Sequence, residues 1–412
     1  MKINERNISM SYLTIKEAFH TQGVDANALY VERSSSSKTI HFDLDIKGNQ
    51  AFLFMDDSLY VQMLRINKAD KEILRLTQQL PERAIRQYTE RTLIDEIVLT
   101  NGIEGVNSSR KEIGNILRNL AKKDKKKRFF GLVNKYNMLM QREGVQIDTL
   151  EDIRATYDEL VLPEVISNNP KNAPDGRLFR VDSVSVYGPT GDEIHRGALP
   201  ESKIEENLIT ALNFLHNDNI ELPIRTAVFH YLLGYIHPFY DGNGRLNRFI
   251  SSALLLREYE PLVGLRLSFA IAESVEKYYK SFDICNDILN KGDITPFILM
   301  FLDVIYKAIS DIVNVLKEKK ELLYTSRDRL RKIDLLADGS VLFETADILL
   351  QARMFSGDGI SIQELMNVFE ITRPTIMKRL EQIYAIGLLE RERVGREVHY
   401  RLNMNTLQTM HS

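Results

Sequence analysis

Cysteine is almost missing from this 412-residue chain. Cys285 is the only one, so neither an internal disulfide nor a cysteine-based zinc site can form. A reducing compartment fits that usage. Charge of one sign is missing too: the formal net charge is −3 with 27% of residues charged, which gives no bulk electrostatic reason for a nucleic-acid or membrane partner. No apolar run approaches the ~18 residues that a membrane span needs. The segment Met1 to Tyr12 is polar and has no apolar signal core. These absences lead to the expectation of a soluble cytoplasmic protein, long enough for two or three domains.

What is present is mostly helical pattern. Near the start, Ile40, Phe42 and Leu44 alternate with polar residues, predicting a strand over Thr39 to Leu44. A second strand is expected over Ala51 to Phe54, after a turn at Gly48-Asn49. From about Leu59 the spacing turns helical, and Leu93, Ile94, Ile97, Val98 and Ile103 suit one helix face. The basic run Lys122 to Arg128 is expected to be a solvated helix end or loop rather than a nucleic-acid site. Asn168 to Gly176 is rich in turn formers. Phe179 to Tyr187 then alternates, and Gly188-Pro189-Thr190-Gly191 turns the chain, which is a hairpin signal. Glu201 to His216 and Leu222 to Ile236 read as amphipathic helices, and Arg245 to Arg257 restarts a helix. The last seventy residues change style. Helices over Glu344 to Arg353, Ser361 to Val368 and Pro374 to Ile386 precede a two-stranded wing over Leu388 to Leu402 that turns at Gly395, the order of a winged helix-turn-helix. The expected architecture is mainly α, with a small mixed N-terminal region (1–90), a helical core carrying a β-hairpin (91–333) and a C-terminal winged-helix-like module (334–412).

The richest stretch lies between two apolar helices: His237-Pro-Phe239-Tyr-Asp241-Gly242-Asn243-Gly244-Arg245-Leu-Asn-Arg248. Gly242 and Gly244 let backbone approach an anion, and the first amides of the following helix have no intrahelical partner. Asn243 adds an amide donor. Arg245 and Arg248, three apart on a helix, suit a polyphosphate. Asp241 is a hard oxygen ligand of the kind Mg2+ takes while keeping most of its waters. His237, with an ordinary pKa near 6.5, suits a general base acting on a hydroxyl. Phe239 is expected to be a buried anchor. A calcium loop is disfavoured because no glutamate ends it, and a Walker loop because no Gly-Lys-Ser/Thr follows. His230, in an apolar helix, is expected to be a hydrogen-bonded core histidine. His195 carries only weak functional support.

This stretch resembles the Fic-family signature His-x-Phe-x-Asp/Glu-Gly-Asn-Gly-Arg-x-x-Arg with every fixed position matched, and the resemblance extends from about Leu93 to Tyr306. It implies a helical Fic core that transfers AMP from ATP, with Mg2+, to a Ser, Thr or Tyr hydroxyl of a target protein or of the chain itself. On that resemblance His237 is the base and Asp241 the metal ligand. Gly242, Asn243 and Gly244 form the anion-binding loop, Arg245 holds the α- and β-phosphates, and Arg248 meets the γ-phosphate. The hairpin around Arg180 to Ile194 resembles the flap that docks the target by strand addition. Thr100-Asn-Gly-Ile-Glu104-Gly105 resembles the family's inhibitory motif, which implies that Glu104 competes with the γ-phosphate for Arg248, as in the N-terminally inhibited class II group. Removal of AMP, or a nucleotide-sensing role in a DNA-binding regulator, are the alternatives. A homodimer is a further expectation.

In the C-terminal module, Arg373, Lys378, Arg379, Arg391, Arg393, Arg396 and Arg401 are offset by Glu381, Glu390, Glu392 and Glu397, a net of +3 over residues 371–401. That modest excess leaves both DNA binding and protein interaction open.

Overall fold

The computed structural model describes residues 12–122, 127–187, 193–337, 339–394 and 397–410. The expected turns at Gly188-Pro189-Thr190-Gly191 and at Gly395 lie outside these residues, as does most of the basic run after Lys122. The mainly α expectation holds. Residues group into two compact units: the described residues through Asp70 together with Leu93–Ser310, and Lys71–Thr92 together with the described residues from Asp311 onward.

In the first unit the N-terminal hairpin pairs Thr39–Ile46 with Asn49–Phe54, antiparallel, and Ile46 faces Asn49 across the turn. The turn is Lys47-Gly48, one residue earlier than expected, and both of its residues have positive φ (50° and 85°), which matches the right-handed twist of the strands. Phe42, Leu44 and Ile46 are buried between exposed neighbours, the period of two that a half-covered strand requires. The hairpin is not a separate module. Phe42 packs edge-on against Phe214 of the Glu201–Leu215 helix, with ring centroids 5.2 Å apart. The Phe52 N–H donates to the Gly292 carbonyl, and the Ile294 N–H donates to the Phe52 carbonyl, each at 2.9 Å. Beside this stitch the fully buried Asp293 accepts from Tyr12 (2.7 Å) and lies 3.5 Å from Arg33.

The centre of the unit is the Leu222–Ile236 helix. Fourteen of its fifteen residues are buried, so the amphipathic reading of this helix is corrected: neighbouring elements cover it on every side. Glu201–Leu215 and Asn243–Leu255 flank it. The latter begins two residues before the expected Arg245 because Gly242, at φ +81°, reverses the chain directly into it.

In the second unit, the helices Val341–Phe355, Ile362–Phe369 and Arg373–Ala385 pack with a three-stranded antiparallel sheet. Its strand order is Ile360–Ser361, Glu397–Leu402, Leu389–Val394. The first strand is only two residues long, too short to leave a periodic signal in sequence.

A Cβ at position 292 would lie 2.4 Å from the Gln50 carbonyl oxygen, and Gly292 has φ +81°. Gly292→Ala is therefore expected to lower the unfolding free energy by roughly 1–3 kcal/mol. Urea denaturation measures this, and an unchanged midpoint would show that the hairpin stitch is not rigid.

Candidate active site

The Leu222–Ile236 helix delivers His237 at its C-terminus in the left-handed region (φ 53°, ψ 63°), where glycine or asparagine is usual. Holding a histidine there takes surrounding support. Phe239, fully buried, supplies it by stacking on Tyr157 at 3.6 Å with the rings nearly parallel, as its anchor role required. The Tyr157 hydroxyl donates to the Asp241 carbonyl (3.1 Å). The Asn243 side chain is spent on the same loop: its Nδ2 donates to the Phe239 carbonyl (2.7 Å) and its Oδ1 accepts the Phe239 N–H (3.0 Å). The expected free amide donor at Asn243 is thus corrected, and only its backbone remains for an anion. Gly242 packs so closely on Val161 that a Cβ would come within 2.9 Å of a methyl.

At Gly244 the space a Cβ would fill is already taken. Glu104 Oε1 lies 2.1 Å from that position. A carboxylate thus sits over the N-terminus of the Asn243–Leu255 helix, where unpaired amides and the helix dipole favour an anion. The same carboxylate reaches Arg248 Nη2 at 2.9 Å. Arg248 is 1% exposed and also donates from Nε to Thr100 Oγ1 (2.8 Å) and from Nη2 to the Thr100 carbonyl (2.9 Å). Burial pulls the Arg248 pKa down, but the charge and hydrogen bond of Glu104, together with Tyr278 and Tyr279, hold it above the usual value.

Thr100 and Glu104 lie on the Glu82–Ile103 helix and the turn that follows it. One turn earlier on that helix is Glu96, fully buried, whose two carboxylate oxygens accept the Ser268 N–H at 3.0 and 2.9 Å. Burial pushes the Glu96 carboxyl up to about 7, against that hydrogen bond and the charges of Arg248 and Arg266.

Arg245 is also 1% exposed and points elsewhere. Its Nη1 meets Glu164 Oε2 at 2.6 Å, its Nη2 lies 4.0 Å from Asp241, and its Nε has no partner. Burial alone would raise the Glu164 pKa, but Arg245, Asn168 and Arg128 together hold it below the ordinary value. Asp241 keeps its side chain 44% exposed, with Oδ1 accepting the Gly242 N–H at 2.5 Å. One exposed carboxylate beside an anion site fits Mg2+, which takes few protein ligands and completes its shell with water and phosphate oxygens.

His237 is half-buried. Burial and the charge of Arg180 press its pKa down to about 4, with Glu104 pulling the other way. The imidazole is therefore neutral at physiological pH. Arg180 is fully buried with no carboxylate partner among the described residues; it donates to the carbonyls of His237 (2.9 Å), Asp182 (2.7 Å) and Ala198 (3.0 Å). Gly197 makes room, since a Cβ there would lie 2.2 Å from the Arg180 guanidinium. The hairpin beyond begins later than expected: among the described residues Ser185–Tyr187 pairs with Glu193–Arg196. Phe179 and Arg180, read as part of its first strand, are instead buried at its base. His195 Nε2 meets the Tyr235 carbonyl at 2.6 Å, and its ring stacks on Tyr235. His230, between the Ser251 and Tyr278 hydroxyls at 2.8 Å each, is a satisfied core histidine.

Sequence reasoning missed Glu96, Glu164 and the role of Arg180. The signal available for Glu164 and Arg180 was a single charge amid apolar neighbours, whereas Glu96 is paired in sequence with Asp95.

Residues 149–255 match the family model described as Fic/DOC family. The chain is 23% identical over 296 residues to the protein adenylyltransferase Fic of Drosophila melanogaster, covering 64% of this chain and 56% of that relative. It is 33% identical over 99 residues to the Drosophila virilis protein of the same name, covering 24% of this chain and 18% of that relative. The chain thus spans about half the length of the first of these curated relatives. Among solved structures, a Fic family protein from Desulfovibrio desulfuricans G20 aligns with a TM-score of 0.49 at 19% identity, covering 85% of this chain and 97% of that one. Fic-1 from C. elegans (residues 134–508) aligns at 0.42 with 21% identity, covering 63% and 74%.

Between its ordinary pKa and about 7, Glu96 holds a proton in the folded state that it loses in the unfolded chain, so its contribution to stability falls as pH rises through that window. Glu96→Gln removes the dependence. Its stability relative to the parent is expected to improve by roughly 1–3 kcal/mol between pH 5 and pH 8. Melting curves at both pH values test this, and an offset independent of pH would refute it.

Proposed function

Residues 149–255 form a Fic/DOC-family domain, and on that premise we propose that the chain is an autoinhibited protein AMP transferase. The observation that carries the reading is the Glu104 carboxylate, 2.9 Å from the buried Arg248 and against the Gly244 backbone. A carboxylate from the chain itself sits where a terminal phosphate would be received.

In the active arrangement Glu104 withdraws and the ATP γ-phosphate takes its place on Arg248. This aligns the α-phosphate beside His237. The target hydroxyl gives its proton to the neutral His237 imidazole as its oxygen bonds to the α-phosphorus. The bond from that phosphorus to the β-phosphate oxygen breaks, and pyrophosphate leaves. Backbone amides at Gly242 to Gly244 stabilise charge on the phosphate. Asp241 would hold Mg2+, which supplies charge neutralisation on the polyphosphate when bound. Arg245, locked by Glu164, adds a fixed positive charge next to Asp241 and toward the inner phosphates. The target segment lies along the hairpin edge, held as an added strand while its hydroxyl enters the site.

Incubation with ATP labelled at the α- or the γ-phosphate, in Mg2+, tests the reading. Glu104→Gly is expected to raise α-label transfer to protein, including self-modification, by about tenfold or more, equivalent to ~1.4 kcal/mol of barrier. His237→Ala is expected to abolish transfer in either background. Label arriving only from the γ position would mean kinase chemistry, and no gain from Glu104→Gly would remove the autoinhibition.

The pH profile is a second check. Because His237 sits near 4 and Glu104 holds it up, kcat/KM of Glu104→Gly is expected to stay flat from pH 8 down to about 5.5. An acid limb centred near 6.5 would show that the base titrates as an ordinary imidazole and would refute the depressed His237 pKa.

A further inference from the structure

The near balance of charge between residues 371 and 401 is a property of the sequence that the fold undoes. Along the Leu389–Val394 strand, successive side chains point to opposite faces. On one face Glu390 accepts from Arg401 Nε (3.0 Å) and lies 3.8 Å from Arg353, while Glu392 meets Arg401 Nη1 at 2.9 Å. Both carboxylates are neutralised there. Glu397, which belongs to the same face by register, lies 3.7 Å from His399.

On the opposite face Arg391 and Arg393 are exposed and have no carboxylate partner among the described residues. The Arg391 guanidinium is 5.9 Å from the ring of Tyr384, which sits on the last turn of the Arg373–Ala385 helix. This face of the hairpin and that helix therefore adjoin. The helix buries Ile376, Leu380 and Ile383 and turns Thr375, Lys378, Glu381 and Gln382 to solvent, with Arg373 exposed in its first turn. Arg391 and Arg393 thus lie beside a helix whose exposed residues include the cations Arg373 and Lys378 and a single carboxylate, Glu381.

We propose that this surface binds duplex DNA. The Arg373–Ala385 helix enters the major groove with Thr375, Lys378 and Gln382 at base edges, and Arg391 and Arg393 lie on flanking phosphates. The chemistry favours DNA over a protein partner because the exposed helix face offers hydroxyl, ammonium and amide groups at groove-reading positions, flanked by cations the fold has left without anions. The large exposed apolar side chain of the helix, Tyr384, sits at its last turn beside Arg391, and the exposed residues Thr375, Lys378, Glu381 and Gln382 before it are polar. This function is additional to AMP transfer and does not rest on it.

The test is fluorescence anisotropy of the full chain with a labelled mixed-sequence duplex of about 25 base pairs between about 50 and 200 mM NaCl. Neutralising three to four phosphates predicts affinity falling roughly 40- to 150-fold over that range. The Arg391→Ala, Arg393→Ala double variant is expected to weaken binding about tenfold or more at low salt and to flatten the salt slope by roughly two phosphates. His237→Ala should leave DNA affinity unchanged, and retained melting temperature in the double variant shows that it folds. The proposal is overturned if the duplex fails to bind at ~10 µM protein and low salt, if the double variant binds equally well, or if single strands bind as tightly as duplex. A double variant that changes oligomeric state with no duplex bound by the parent would assign the surface to protein contact instead.

Discussion

A buried guanidinium cannot stand alone, and the site depends on that rule. Arg248 is 1% exposed, and besides the Thr100 oxygens its anionic contact is Glu104. Removing one partner of a buried ion pair costs several kcal/mol, because the remaining charge is left in a poor solvent. Moving Glu104 away leaves Arg248 with the Thr100 oxygens, so the change is favoured when another anion arrives. The γ-phosphate is the anion that the proposed reaction provides. In the proposed reaction Glu104 and the γ-phosphate compete for one cation, and the exchange is favoured over leaving that cation without an anion.

The helix carrying Thr100 is itself held from behind. Glu96, Thr100 and Glu104 recur at intervals of four and lie along one side of the helix and its end. Glu96 reaches the Ser268 amide, Thr100 reaches Arg248, and Glu104 reaches both Arg248 and the Gly244 backbone. The loop from His237 to Gly242 is braced as well. The Phe239–Tyr157 stack, the Asn243 amide and the Arg180 guanidinium each use a group that could have faced a ligand to brace the backbone instead. Arg180 is the extreme case, a fully buried cation satisfied by carbonyl oxygens alone. This rigidity is what allows His237 to occupy a backbone region that histidine rarely adopts.

Strand alternation does for the C-terminal unit what burial does for the site. A sequence can be electrically balanced while its folded surface is not, because a period of two sends neighbouring charges to opposite faces. Glu390 and Glu392 meet Arg401, while Arg391 and Arg393 have no carboxylate partner among the described residues.

The sequence by itself determined the mainly helical class, the N-terminal hairpin, and the order of elements in the last seventy residues. It also placed the anchor Phe239, the core histidine His230, and a twelve-residue stretch whose residue types point to phosphate chemistry. These were legible because each depends on local spacing or on a dense motif. The all-round burial of Leu222–Ile236, the merging of the N-terminal hairpin with the core, and the partners of Arg180, Arg245 and Glu96 were decided only in three dimensions. Arg245 meets Glu164 from 81 residues away, and Glu96 meets Ser268 from 172 away. Such contacts leave no period in the chain. A charge beside apolar residues looks the same in sequence whether its partner is a phosphate, a carboxylate or a carbonyl, and only the packed structure brings that partner within hydrogen-bonding reach.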